Sequence, residues 1–396
     1  MLLGGIRYLL PVIKAAHEHG CYVITVDYIP DNIAHKYSDE YHNLSILDKE
    51  AVLALAKELQ IDGILSYAVD PGVVTAAYVA EQMNLPFTCS YEVACILQNK
   101  ARFRQFLSEH SFNVPNAKGY TDAEEAQKDI DFFNWPVIVK PVDSAGSKGV
   151  TKVEDPKDLK QAIKHALDES HNGHFIIEDF LEKDGLSSGS ESFFVNGQLR
   201  YNAFYDQYFD NEALNPYTPS AECWPSEKPE NYLGEVRSEL QRLSDLLHFR
   251  TGLCNVEWRL CKDGKVYMME VSPRAGGNRL AEILNYATDI DIIEAEVCKA
   301  INEPIPTIHE PNYRGHYAIM VLHAERSGLF AKLDIDKTFR QKHIIEEELR
   351  ISPKDRVRAF SGANDAIGTL FLKFDTREQM NDVLIHQNEW LHIGIE

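Results

Sequence analysis

Gly252-Leu-Cys-Asn-Val-Glu-Trp-Arg-Leu-Cys-Lys-Asp-Gly-Lys-Val-Tyr-Met-Met-Glu-Val-Ser-Pro-Arg-Ala-Gly-Gly277 is the stretch on which the reading of the chain turns. Two β-like runs flank Asp263-Gly264, a favoured two-residue hairpin turn because both positions tolerate positive φ. That turn sets Lys262 against Lys265 and pairs residues whose numbers sum to 527, so Glu257 falls opposite Glu270 and Asn255 opposite Ser272. Carboxylates so placed have Cβ atoms ~5 Å apart and repel unless something offsets them. A hard divalent cation does so: Mg²⁺ takes few protein carboxylates and fills its other positions with water and phosphate oxygens. In this register Val266 and Met268 share the face of Glu270, which favours a covered face over one washed by solvent. An exposed polar face is the plainer explanation, and alternation alone does not separate the two.

Beyond the second run, Ser272 to Asn278 leads into a helix expected over Arg279 to Tyr286. Glycines just before a helix leave backbone N–H groups open to an anion, and Arg274 adds a planar, permanently charged fork suited to phosphate or carboxylate. An ordinary glycine turn with a surface arginine is the alternative.

Upstream, Pro136-Val-Ile-Val-Lys-Pro-Val142 carries one lysine, Lys140, in an otherwise apolar strand, and burying an ammonium is costly without an anion. The loop Asp143 to Gly149 is rich in small residues whose N–H groups can curl over phosphates. It lacks the Walker spacing, and a structural turn is equally compatible with it. Phe175 to Glu182 passes from an apolar strand to an exposed acidic stretch, an edge where free backbone can bond a planar base. Glu191 begins a new strand after Gly189-Ser190.

At 396 residues, 44% apolar and 26% charged, the chain is long enough for two or three domains with sizeable cores. Its opening reads as β-α-β: a strand at 1–3, the Gly4-Gly5 turn, a helix through Ile6, Leu9, Leu10 and Ile13, and a strand at 21–26. The first strand is short enough that Met1 reads as lying inside the true element. Gly4-Gly5 lacks the full dinucleotide fingerprint, and a tight turn at a sheet edge is the preferred reading. Further along we expect helices at 49–59, 73–83, 99–110, 155–169, 235–247 and 377–384, and a buried strand at 63–67. The expected division is 1–95, an α/β unit; 96–185, a small α+β unit with a linker helix; 186–305, a larger strand-rich unit; and 306–396, a separate α+β lobe.

Against 40 lysines and arginines stand 61 aspartates and glutamates, a formal charge of −21 that disfavours a nucleic-acid partner. Seven scattered cysteines show no Cys-x-x-Cys and no zinc-like pairing with histidine, and read as reduced thiols of a cytosolic protein. No window is long and apolar enough for a membrane span, and the opening lacks signal-peptide features, so a cytoplasmic protein without a membrane partner is expected.

Taken in order, these elements resemble the ATP-grasp superfamily over roughly residues 1–305, in particular its carboxylate–amine and amino-acid ligases, and are also similar to the large subunit of carbamoyl-phosphate synthases. The resemblance implies an α/β and α+β multidomain chain: an ATP-grasp fold with an amino-terminal Rossmann-like domain and a strand-rich carboxyl-terminal lobe. It implies that Lys100 and Lys140 contact ATP phosphates and that the loop containing Ser144, Gly146, Ser147 and Gly149 is a mobile glycine-rich flap. Glu178 and the backbone of Asp179, Phe180 and Leu181 would hold adenine, and Glu191 the ribose hydroxyls. Glu257 and Glu270 would bind Mg²⁺, replaceable by Mn²⁺. Arg274 would stabilise the transferring phosphoryl group. The family's Glu-x-Asn-x-Arg reads here with Ser272 at its centre, a weaker metal ligand, which leaves a second Mg²⁺ open; the stretch 182–188 is also longer than the simplest family version. The implied reaction joins a small-molecule carboxylate to an amine through an acyl phosphate, releasing ADP and phosphate, in a protein that can form a homodimer. Activation of bicarbonate or carbamate, and a nucleotide-binding module without turnover, are the rival readings.

Overall fold

The computed structural model describes residues 1–144, 146 and 148–396. In the amino-terminal unit Leu2–Leu3 pairs in parallel with Ile24–Asp27, which pairs in parallel with Glu40–Asn43. Helix Leu10–Glu18 makes the crossover and buries Val12, Ile13 and Ala16, the stripe expected of an amphipathic helix. The strand expected at 63–67 is reduced to a single bridge between Leu65 and Leu2. Leu65 meets this neighbour through two backbone bonds, accepting from the Leu3 N–H at 2.9 Å and donating to the Met1 carbonyl at 3.0 Å. Helix Asp70–Met83 starts earlier than expected because Asp70 and Pro71 build its first turn, where proline has no N–H bond to lose. Gly4-Gly5, expected as a tight turn, is irregular backbone: Gly4 has φ 108°, and a Cβ on Gly5 would stand 2.4 Å from the His35 ring, so close approach requires glycine there.

The small unit is an antiparallel sheet in the order Ala117–Tyr120, Phe175–Asp179, Val137–Pro141, Thr151–Val153. Helix Leu159–Asp168 seals it with Leu159, Ala162, Ile163 and Ala166, and the unit has its own core.

Among the described residues one long antiparallel sheet has eight strands, in the order Val266–Ser272, Gly252–Leu260, Ser187–Val195, Gln198–Phe209, Pro219–Trp224, His316–Leu322, Gly368–Phe374 and Ile344–Leu349. The last three come from the region expected as a separate lobe, and that expectation is corrected. Tyr317 through Leu322 are all buried, so this strand needs cover on both faces and lies inside a large sheet, against Pro219–Trp224. Arg356–Val357, Gly328–Ile335 and Leu391–Ile395 form a small sheet of their own.

The hairpin corrects the expected register in two places. Cys261 donates its N–H to Lys265, leaving a three-residue loop, Lys262 to Gly264, with Gly264 at φ 76°. Trp258 then faces Met268 and Leu260 faces Val266, until a bulge at Met269 restores Glu257 opposite Glu270 and Asn255 opposite Ser272. Because partners across a ladder share a face, Val266 and Met268 lie with Trp258 and Leu260 in the core that includes Val236 and Leu240 of helix Glu230–Leu247. They do not cover Glu270, as the simple alternation had suggested.

Candidate active site

Glu270, Glu257, Gly189 and Tyr205 form one row across four strands of the long sheet, on the face opposite that core. Glu257 is solvent-accessible yet stands among many protein atoms, and that desolvation, with Glu270 opposite, raises its carboxyl pKa to about 7. Lys100, the first residue of helix Lys100–Glu109, sends Nζ to 3.6 Å from Glu270 Oε2 and donates to the Ser144 carbonyl at 2.9 Å. One ammonium thus joins the acidic hairpin to the root of the small-residue loop.

Arg274 is clamped by an aspartate not anticipated from the sequence. Its Nε and Nη2 donate to Asp70 Oδ1 and Oδ2 at 2.8 and 2.6 Å, a bidentate pair in which the first turn of helix Asp70–Met83 presents the carboxylate. Burial alone would raise the Asp70 pKa; the Arg274 guanidinium outweighs it and holds the group below the usual range. Ser272 joins the same knot, donating Oγ to Asp70 Oδ1 at 2.9 Å and accepting from Gln98 Nε2 at 2.6 Å.

In the small unit Lys140 does meet an anion, and it is a protein carboxylate. Nζ lies 2.6 Å from Glu178 Oε2, whose other oxygen is 2.9 Å from Arg104 Nε. Glu178 is 1% exposed. Burial by itself would push its pKa up, and the two cations instead bring it down to about 2. Burial lowers the Lys140 pKa. Arg104 then reaches the hairpin, donating Nη1 and Nη2 to the carbonyls of Met268 and Met269 at 3.3 and 2.9 Å. The bulge, Arg104, Glu178 and Lys140 are one connected set of charges and dipoles.

Residues 133–282 match the ATP-grasp domain family. That stretch of the chain carries an ATP-grasp domain. The formate-dependent phosphoribosylglycinamide formyltransferase of Synechococcus sp. (strain WH7803) is 26% identical over 313 residues, 78% of this chain and 77% of that protein. The crystal structure of the L-amino acid ligase from Bacillus licheniformis has a TM-score of 0.81 at 19% identity, covering 100% of this chain and 98% of that one. The biotin carboxylase domain dimer of the Hydrogenobacter thermophilus 2-oxoglutarate carboxylase, solved with MgADP, ADP and bicarbonate, has a TM-score of 0.74 at 16% identity and covers 100% and 90%. At these identities the two structures establish a shared fold along the whole chain.

Set against ATP-grasp expectations, three residues have different tasks. Glu191 is fully buried, accepting from Asn255 Nδ2 at 2.6 Å and from the Gly276 N–H at 3.0 Å, so it supports the glycine turn from below and is sealed from a ribose. Burial raises its pKa to about 7. A Cβ on Gly276 would stand 2.5 Å from Glu191 Oε1, which is why glycine is required there. Ser272, expected as a metal ligand, has its hydroxyl committed to Asp70 and Gln98. Glu178, expected at adenine, is a buried counter-ion.

The other residues expected at the nucleotide have the following surroundings. Asp179 and Phe180 are held by their own N–H bonds to Asn116 and Pro136, the Asp179 carboxylate accepts from Asn134, and the Leu181 carbonyl accepts from Arg259 at 3.4 Å. The Ser144 hydroxyl bonds the Glu169 carbonyl. Gly146 and Gly149 have φ of 70° and 68°, as small-residue turns require, and Ser147 lies outside the described residues. Glu222 was also not anticipated: it shares the sheet face of Glu257, and one oxygen accepts from Asn278 Nδ2 at 3.0 Å. Burial first, and Glu257 second, raise its pKa to about 7. The only advance sign of Asp70 was an Asp-Pro helix start at the edge of an α/β sheet; Glu222, in Pro219–Trp224, offered none.

The donor set fits a hard divalent ion. Two facing carboxylates, one with a raised pKa, form a locus of excess negative charge that Mg²⁺ relieves. Among the described residues no helix is long and apolar enough to cross a membrane.

Proposed function

We propose that this chain is an ATP-dependent ligase that joins a small-molecule carboxylate to an amine, releasing ADP and phosphate. The observation that carries the proposal is the Glu257–Glu270 pair facing across the hairpin with Lys100 beside it. Mg²⁺ held by that pair, or Mn²⁺ in its place, supplies charge neutralisation for the triphosphate. Lys100 and Lys140 contact the phosphates, the loop of Ser144, Gly146, Ser147 and Gly149 covers them, and the backbone of Asp179, Phe180 and Leu181 receives the adenine. Arg274 steadies the phosphoryl group as a carboxylate oxygen attacks the γ-phosphorus and ADP leaves. The amine then attacks the acyl carbon, phosphate departs, and the nitrogen loses a proton. The printed names of the relatives support this class: formyl transfer from formate and ligation of amino acids each fit union of a carboxylate with an amine. We place the protein in the cytoplasm, acting on small molecules, with a homodimer as its assembly.

ADP release, followed continuously with ATP, Mg²⁺ and a panel of carboxylate–amine pairs, tests the reading. Release that needs both partners, with the acyl phosphate trapped by hydroxylamine, is expected. Release driven by bicarbonate alone would reassign the chain to carboxylation, and ATP binding without release on any pair would make it a non-catalytic module.

A further inference from the structure

Away from the hairpin, helices Leu10–Glu18 and Ile292–Ala300 bury side chains in one shared core. Where that contact reaches the surface, His19, at the carboxyl end of the first helix, meets Glu294 and Cys298 of the second. The latter two are four residues apart and so share a helix face. His19 Nε2 stands 3.6 Å from Cys298 Sγ and 3.8 Å from Glu294 Oε1, and Nδ1 stands 3.0 Å from Glu303 Oε2.

We propose that His19, Glu294 and Cys298 form a binding site for a zinc-type divalent ion, with Glu303 as the positioning residue for the histidine. Zinc bonds of ~2.05 Å to imidazole nitrogen and ~2.3 Å to thiolate, at a tetrahedral angle, hold the two donor atoms about 3.6 Å apart. The Nε2 to Sγ separation has this value already. The corresponding nitrogen–oxygen spacing is about 3.3 Å, so the half-buried Glu294 closes by roughly 0.5 Å, within reach of a side-chain adjustment. A carboxylate on Nδ1 fixes the imidazole tautomer that turns the Nε2 lone pair toward the metal, the usual outer partner of a ligating histidine. One sulfur, one nitrogen and one oxygen donor suit zinc and its neighbours and not Mg²⁺ or Ca²⁺. Water completes the tetrahedron. On binding, the Cys298 S–H bond breaks, its proton passes to solvent and the sulfur–metal bond forms, so affinity rises with pH. His19 and Cys298 are 279 positions apart, which is why cysteine and histidine spacing along the sequence gave no hint of the site.

Co²⁺ is the probe, titrated into reduced full-length protein with Mg²⁺ in excess. One equivalent is expected to give thiolate-to-cobalt charge-transfer absorption with tetrahedral d–d bands, discharged by Zn²⁺, while Zn²⁺ alone raises the Tm. Cys298→Ser and the more exposed His19→Gln should lose the bands and the Tm response while keeping Mg²⁺-dependent ATP turnover, and Glu303→Gln should weaken binding about tenfold or more. Absence of a thiolate band in the parent protein, or its survival in Cys298→Ser, would overturn the site.

Discussion

Glu270 faces Glu257 across the hairpin and makes the Glu257 charge harder to hold. Glu270→Gln should therefore separate chemistry from folding. Turnover falls by about 100-fold or more as the ion is lost, whereas the Tm of the metal-free protein stays level or rises because one repulsive charge is gone. ADP release and a thermal melt on the same sample check both halves. Lys140→Ala acts differently, since Lys140 shares Glu178 with Arg104. Its loss should weaken ATP about tenfold or more and also lower the Tm, because taking one partner from a buried ionic cluster leaves charge uncompensated. Isothermal titration with a non-hydrolysable ATP analogue gives the first quantity; unchanged affinity would remove Lys140 from the nucleotide site. At this scale residue type was readable in advance, but commitment was not. Nothing in Gly189-Ser-Glu191 tells that the glutamate lies under Gly276, and nothing in Ser272 tells that Asp70 and Gln98 already occupy it, because those partners are 85 and 202 or 174 positions away.

The hairpin was legible for a partly fortuitous reason. A turn taken one residue too short and an unforeseen bulge at Met269 cancel, so the acids pair as expected while everything between bulge and turn is shifted by one. Asp-Gly marks a turn but does not set its length, and a bulge leaves no signature in apolar alternation. The sheet that carries this hairpin also gathers Glu191, Glu222 and Glu257 on one face, each with its pKa raised to about 7. Unfolded carboxyls titrate near 4.5, so between that value and about pH 7 the folded chain holds more protons and its stability falls as pH rises. The metal-free Tm should drop by several degrees from about pH 5 to about pH 8, and Glu222→Gln should flatten that slope. Glu178, held down at about 2, and Asp70, held below its ordinary value, add an opposite loss of stability at acid pH. At the start of helix Asp70–Met83, Asp70→Asn keeps the shape but removes the charge that clamps Arg274. It should cut kcat about tenfold or more with little change in ATP affinity, measured by steady-state kinetics and titration.

Over the whole chain, helix and strand periods alternate clearly along the sequence, but they do not tell that the long sheet continues across 305/306. His316–Leu322 is apolar enough to be any interior strand, and only its pairing with Pro219–Trp224 places it in the same sheet as the acidic hairpin. Removing residues 311–396 would strip that partner and the shared core around Ala221 and Cys223. The shortened chain should aggregate and lack a cooperative melt, where the full chain unfolds cooperatively; light scattering and calorimetry distinguish the two. The small unit stands in contrast, with its own core and with Ala117, where it begins, directly opposite Glu178, where its last strand nears its end. Its entry and exit are therefore neighbours, as in domains that tolerate insertion. For recombination between relatives the natural cassette is the stretch from 117 to 179, while 186–396 must be inherited as a block.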